Sequence, residues 1–359
     1  MKKHLLAGTL AASLLLTGCS ALLERDYHHV TPHNAAPTTE GDPSILRADS
    51  YQELVNALIY LVNAGAETGT VRLYTDSENV EAFLSDACLE VVQEDPLGAY
   101  CVEFIKYSVD PVVTYSQAQV DITYRRTREQ VDAIVQVTGV TAIRSELSAA
   151  LAEFAPERAL RVRYFEGDED FIRDLVCQAY YDVPAQALGM PEVSVSLYPN
   201  TGRQRIVEIL LSYPLDRSRL EERRDALSAH LDELTLKLTA EGPLSPVQAA
   251  QALLKLGEYD PMGGSTAYDL FRSGSASSEG LVLSFAALCQ RLALPCHVAQ
   301  GSYQDQHHFW AVVLTEEGWR HLDLTLAGQE EREDGPLFTD LQFQELGYSW
   351  DSSSLPACV

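Results

Sequence analysis

The chain has 359 residues, with room for two or three compact units. Its 52 acidic residues against 26 basic ones give a net charge of −26, which excludes nucleic acid as a partner and broad contact with anionic lipid headgroups. The plain reading of so acidic a balance is solubility on a crowded surface.

Lys2 and Lys3 form a basic start, and Leu5 to Leu16 is an apolar run too short to span a bilayer comfortably. Leu16-Thr17-Gly18-Cys19 follows. This segment resembles the lipobox of bacterial lipoproteins; the alternative is an ordinary secretory signal with a chance cysteine. The resemblance implies that residues 1–19 are a lipoprotein signal peptide and that Cys19 is diacylated and becomes the new N-terminus. The chain would then be extracytoplasmic and lipid-anchored to the bacterial membrane, since two or three acyl chains hold a protein far better than one. Residues 20–47, rich in proline and small polar residues, predict a flexible tether. His28, His29 and His33 lie in it, where no coordination geometry is held, so no metal and no cofactor are expected. Six further cysteines remain: Cys88, Cys101, Cys177, Cys289, Cys296 and Cys358. Cys88 with Cys101 and Cys289 with Cys296 are close enough in sequence to pair; free buried thiols explain them equally well.

Apolar spacing predicts a helix over 51–64, with Ser50 as its N-cap, then a strand over 70–74 and a helix over 80–92. Strands follow around 101–108 and 119–125. The same order recurs as a helix over 141–154, a strand over 159–164, a helix over 168–181, and paired strands over 192–198 and 205–213. Pro199-Asn200-Thr201-Gly202 is a hairpin signal between the last two. These segments predict two small α-β-α-β-β modules, residues 48–125 and 126–216, which suggest duplication. Asp76, Glu78 and Glu81 suit a solvated loop and helix start and group no chemistry. A charged helix runs from Arg217 to about Leu238, in a connecting segment over 217–243. Ser245 and Pro246 then open another helix, and with it the last unit, residues 244–359.

Chemistry concentrates in that unit. Gly274 to Gly280 is a small-residue loop entering a helix at Ser278, with apolar positions at Leu281, Phe285, Leu288 and Leu292. A thiol at such a tip is acidified by unpaired amides and completed as an ion pair by an imidazole. A strand around 297–299 and a hairpin follow. With Leu314 opposite Trp319, Trp310 falls opposite Asp323, and His308 becomes a diagonal neighbour of Asp323 on the same face. His307 points to the other face. A bulge would break this parity.

Ser278-Glu279-Gly280, Leu292-Ala293-Leu294-Pro295, Gly301, His308-Phe309-Trp310 and Trp319 through Asp323 to Thr325 together carry a resemblance. The unit from about 244 to 358 is similar to transglutaminase-like domains, the papain-related fold of transglutaminases and many bacterial peptidase-like proteins. Tyr268-Asp269-Leu270-Phe271 and Tyr348-Ser349-Trp350 also resemble bacterial members. The implied class is α+β, with two α-β-α-β-β modules followed by a transglutaminase-like, papain-like cysteine-protease fold. In the family a cysteine attacks an amide carbonyl, a histidine shuttles the proton and an aspartate orients the histidine. His308 and Asp323 match the last two roles, and Ser278 stands at the cysteine. Cys289 is eleven residues along the same helix, about 16 Å from the tip.

Two readings of Ser278 stay open. A hydroxyl is far less acidic than a thiol, and serine is a favoured N-cap, which explains the residue without chemistry. Ser-His-Asp triads nevertheless work in other folds. The expectation is a degenerate, non-catalytic domain that binds a protein, peptide or cell-wall ligand, with Trp310 and Trp319 as groove-lining candidates. The alternative is an active acyltransferase or amide hydrolase using Ser278, His308 and Asp323.

Overall fold

A computed structural model describes residues 37–40, 42–75, 79–186, 188–240, 242, 244–327 and 337–359. The predicted signal peptide with Cys19, the histidines of the tether, Asp76 and Glu78 lie outside the described residues. By Cα proximity the chain forms two compact units, one of residues up to Val91 with Ile105–Ile122, the other of Val92–Phe104 with Thr123–Val359.

The first unit begins with strands β1 (Thr38–Glu40) and β2 (Asp42–Ala48). This corrects the tether, which was expected to run through residue 47. Leu46 and Ala48 are buried, but an apolar pair so short gives no period, and its strand partner comes from beyond the next helix. Helix α1 (Tyr51–Ala64) starts at Ser50, whose side chain accepts from Glu53 N, and stops at Gly65, whose φ of 66° is left-handed. It buries Leu54, Leu58, Leu61 and Val62, each adding about 2 kcal/mol by removing apolar surface from water. Strand β3 (Thr68–Leu73), helix α2 (Val80–Glu94) and strands β4 (Val102–Val112) and β5 (Tyr115–Tyr124) follow, while the short helix α3 (Pro96–Cys101) between α2 and β4 belongs to the second unit. β2 and β3 run parallel because α1 carries the chain back between them. The sheet order is β1-β2-β3-β5-β4.

The second unit repeats this pattern. After the short helix α4 (Arg128–Asp132) come β6 (Val135–Val137), α5 (Val140–Ala152), β7 (Glu157–Val162), α6 (Glu169–Asp182), β8 (Glu192–Tyr198) and β9 (Arg205–Ser212). The sheet order is β6-β7-β9-β8, with β6 and β7 parallel and the other pairs antiparallel. β2-β3-β5-β4 and β6-β7-β9-β8 are therefore one topology written twice. Each repeat opens with a strand that the α-β-α-β-β reading lacks, making it β-α-β-α-β-β. β6 spans only Val135–Val137, too few residues for a period of two to register.

Helix α7 (Arg217–Thr239) starts at its N-cap Asp216, and α8 (Pro246–Leu254) starts at a capping box of Ser245 and Gln248. Strand β10 (Glu258–Gly264) pairs in parallel with β11 (Ser275–Ala276), with α9 (Ala267–Ser273) between them. Helix α10 (Ser278–Leu292) leads into β12 (Cys296–Tyr303), β13 (Gln306–Thr315) and β14 (Gly318–Leu322). After α11 (Leu324–Ala327) come β15 (Leu337–Phe338), α12 (Asp340–Glu345) and β16 (Tyr348–Ser349). The sheet order is β15-β14-β13-β12-β16.

One apolar core runs from Val137 and Ile172 through Leu220, Leu227 and Leu231 of α7 to Phe285 of α10 and Leu324. It is continuous across residues 216 and 243. A second cluster, containing Trp310, Val312, Phe338, Phe343 and Tyr348, covers the other face of the last sheet. Strand β13 is thus buried on both sides, with Phe309, Ala311 and Val313 in the first core and Trp310 and Val312 in the second. Among the described residues no helix is long and apolar enough to cross a membrane.

Candidate active site

The β13–β14 register sets the site. Leu314 lies opposite Trp319 and Ala311 opposite Leu322, joined by the two-residue turn Glu316-Glu317, with no bulge in the ladder. Asp323 is the residue just past that ladder, and His308 reaches it across the sheet face. His308 Nε2 lies 2.6 Å from Asp323 Oδ2. His307 is exposed and packs edge-on against Phe309, on the opposite face.

Asp323 is fully buried and accepts four hydrogen bonds. Tyr348 Oη donates at 2.5 Å to the oxygen that faces His308, and Thr325 donates its N–H at 2.7 Å and its hydroxyl at 2.8 Å to the other. Bonded on both oxygens, the side chain fixes its neighbours. Burial, and then the charge of Asp323, push the Tyr348 phenol well above its usual range, so it stays protonated and donating. His308 Nε2 must carry a proton to bond Asp323, which leaves Nδ1 as the basic nitrogen. The ring sits between Tyr303, at 5.6 Å, and Tyr348, at 5.9 Å. A proton acceptor is therefore held in one tautomer and one orientation.

The helix tip is arranged differently from expectation. Ser277, not Ser278, is the N-cap of α10: its hydroxyl accepts from Gly280 N at 3.3 Å and donates to Gly264 O at 3.2 Å. Ser278 is the first helical residue, so capping does not account for it. Its side chain is partly exposed and hydrogen-bonds neither His308 nor any other described residue. Gly280 is required by close approach, because a Cβ there would lie 2.3 Å from Gly264 O. Glu279 accepts a hydrogen bond from Tyr181 of α6 at 3.3 Å, and burial pushes its carboxyl above the usual range while that bond opposes the shift.

None of the six described cysteines stands in the first turn of α10. Burial, with the charges of Asp174 and Glu279, pushes the Cys177 thiol up, away from thiolate character. Cys289 is buried within α10, and the neighbouring Cys296 thiol and burial raise its own thiol far above normal. All six described cysteines are reduced.

Trp310 is a core residue rather than a groove wall: it is fully buried and donates Nε1–H to His321 Nδ1 at 2.9 Å. Trp319 is partly buried at the edge of the same cluster, 5.0 Å from the His297 ring. His321, Asp340 and Cys358 bring three ligand atoms within 4.8 Å, a spacing that would suit a metal. The Trp310 contact argues otherwise. Tryptophan only donates, so His321 Nδ1 carries the lone pair and Nε2–H donates to Asp340 Oδ1 at 2.8 Å. A metal on Nε2 would drive the proton onto Nδ1, against the indole N–H. Cys358, its thiol pushed up to about 12 mainly by burial, completes a packed polar cluster instead.

His308, Asp323 and the role of the β-hairpin were readable from parity. The bonds of Thr325 and Tyr348 to Asp323 follow from residues already singled out by the resemblance. Tyr181 was not readable, since it comes from α6, 98 residues away from Glu279.

No family model matches the chain, and no curated protein matches it in sequence. Among solved structures, a TGase aligns at 16% identity and a TM-score of 0.26, covering 49% of this chain and 53% of that one. A candidate cysteine protease from Cytophaga hutchinsonii aligns at 14% identity and a TM-score of 0.25, covering 38% of this chain and 62% of that one. Menin aligns at 16% identity and a TM-score of 0.26, covering 36% and 33%. The chain thus spans about half the length of the TGase it resembles. Its described residues form a mixed helix-and-sheet fold whose neighbours include a TGase and a candidate cysteine protease.

Proposed function

We propose that the chain is a lipid-anchored extracytoplasmic protein, tethered through Cys19, whose C-terminal transglutaminase-like domain has lost catalysis and binds a protein or peptide segment. The observation that carries this reading is the contrast at the site. The proton acceptor and its orienting carboxylate are bonded as pairing with a nucleophile requires, whereas Ser278 is a free hydroxyl with no bond to His308. An alcohol is a poor nucleophile without a base hydrogen-bonded to it. A retained base and orienter with a weakened nucleophile is the pattern of a fold kept for its shape and surface.

Ser278→Cys tests the arrangement. If the rest of the site is intact, the new thiol reacts with iodoacetamide at a pH well below the ordinary thiol range, and the variant gains amide hydrolysis or amine incorporation. A thiol that titrates normally, in a folded and inactive variant, would contradict the proposed ancestry of the site. Replacing Cys19 with serine should release the expressed protein from membranes into the soluble fraction; continued membrane retention would sink the anchor.

A further inference from the structure

Strand β12 is covered on its outer side only in part. β16 pairs with Ser302 and Tyr303, so Cys296 to Gly301 have no outer strand partner among the described residues. The ladder fixes which backbone groups face out. Leu314 N donates to Pro295 O, which makes that a hydrogen-bonded pair and sets the alternation along β12. His297, Ala299 and Gly301 then point their N–H and C=O at β13. Cys296, Val298 and Gln300 point theirs outward and make no outward backbone bond to any described residue.

That edge borders a groove of about 850 Å³. Every residue from Cys296 to Gln300 lines it. Side chains of a strand alternate between faces, so a groove that meets five in a row meets the strand's edge. Asp174 and Tyr181 line it from α6, which packs on the first core, and Asp351 and Ser353 line it from the segment that Trp350 and Leu355 pack on the second cluster, across the sheet. Arg144 is held by Asp182 through two bonds, at 2.5 and 2.6 Å, which leaves one carboxylate unneutralised on each wall. Tyr181 also bonds Glu279, so the groove's α6 wall reaches the helix tip that carries Ser278.

We propose that this edge is the peptide site, and that its ligand is an extended segment carrying two consecutive basic residues. The peptide adds to β12 as a new strand through the outward groups of Cys296, Val298 and Gln300. Neighbouring residues of a strand face opposite ways, so the two cations meet Asp174 on one wall and Asp351 on the other. The inference rests on the peptide-binding reading above and names its site and ligand class.

The test uses the full chain and a dye-labelled, end-capped peptide, Thr-Val-Lys-Lys-Val-Thr, followed by fluorescence anisotropy. Saturable binding is expected, weakened about tenfold or more when both lysines are glutamates, when the lysine amides are N-methylated, and in Asp174→Lys. Val298→Pro, which removes one outward N–H at an edge that tolerates proline, should weaken it similarly. The N-methylated probe makes the same point on unaltered protein should that variant misfold. Absence of saturable binding, or binding indifferent to N-methylation and to Asp174→Lys, overturns the proposal. Ser278→Ala should bind the peptide as the wild type does. A wild type that hydrolyses amides would overturn the functional reading while leaving the groove result intact.

Discussion

Asp323 holds the site together, because one buried carboxylate orients His308, Tyr348 and Thr325 at once. Asp323→Asn would turn an amide N–H₂ toward donors that need an acceptor. The expected cost is about 3 kcal/mol, seen as a lower urea midpoint at unchanged m-value. A loss under about 0.5 kcal/mol would mean the network carries little of the stability. Glu279 gives a pH test of opposite sense. Burial raises its folded pKa above the ordinary 4.5. Stability from such a group is fully present below the unfolded value and is lost as pH rises through the folded one. Glu279→Gln should therefore be more stable than wild type at pH 7, and the advantage should vanish below about pH 4.5. Thermal melts across that range check it, and an advantage that grows on acidification would contradict the assignment. At this scale the sequence discloses residues linked by strand parity, such as His308 and Asp323. It hides those joined by packing alone, such as Tyr181 with Glu279. It also misplaced the N-cap by one residue, because Ser277 and Ser278 are chemically equal candidates and only the contact with Gly264 separates them.

The turn from α10 into β12 places a non-glycine residue in left-handed backbone. Ala293 has a φ of 54°, and its N–H and that of Leu294 close the helix by bonding Gln290 O and Cys289 O. An L-residue pays about 1 kcal/mol there, so Ala293→Gly should raise stability by up to about 1 kcal/mol, read as a higher melting temperature. A fall would show that the methyl group packs better than its backbone strain costs. Gly301 is the converse. A Cβ at this position would meet Ser349 O at 2.2 Å, so Gly301→Ala should displace β16 and cost about 1–3 kcal/mol. Longer elements were legible because their periods are long: α1, α6, α7 and α10 fall within a residue or two of expectation. β2 and β6 were not, since a short strand whose partner lies beyond a helix leaves no local signature.

Across the whole molecule, the two β-α-β-α-β-β repeats share one strand order and one set of strand directions, as a duplication would leave them. The second repeat shares its apolar core with α7, α10 and the last sheet, so Tyr181 can reach the candidate site and α6 can wall the groove beside it. That continuity was not readable from residues 126–216 alone, because an amphipathic helix does not say which neighbour receives its apolar face. We propose that this site, with His308 and Asp323 in place, does no amide chemistry through Ser278. The direct measurement compares wild type with Ser278→Ala for hydrolysis of, and amine incorporation into, a glutamine-containing peptide. Equal, background rates for both proteins are predicted. Turnover by wild type that the alanine variant loses would contradict the account.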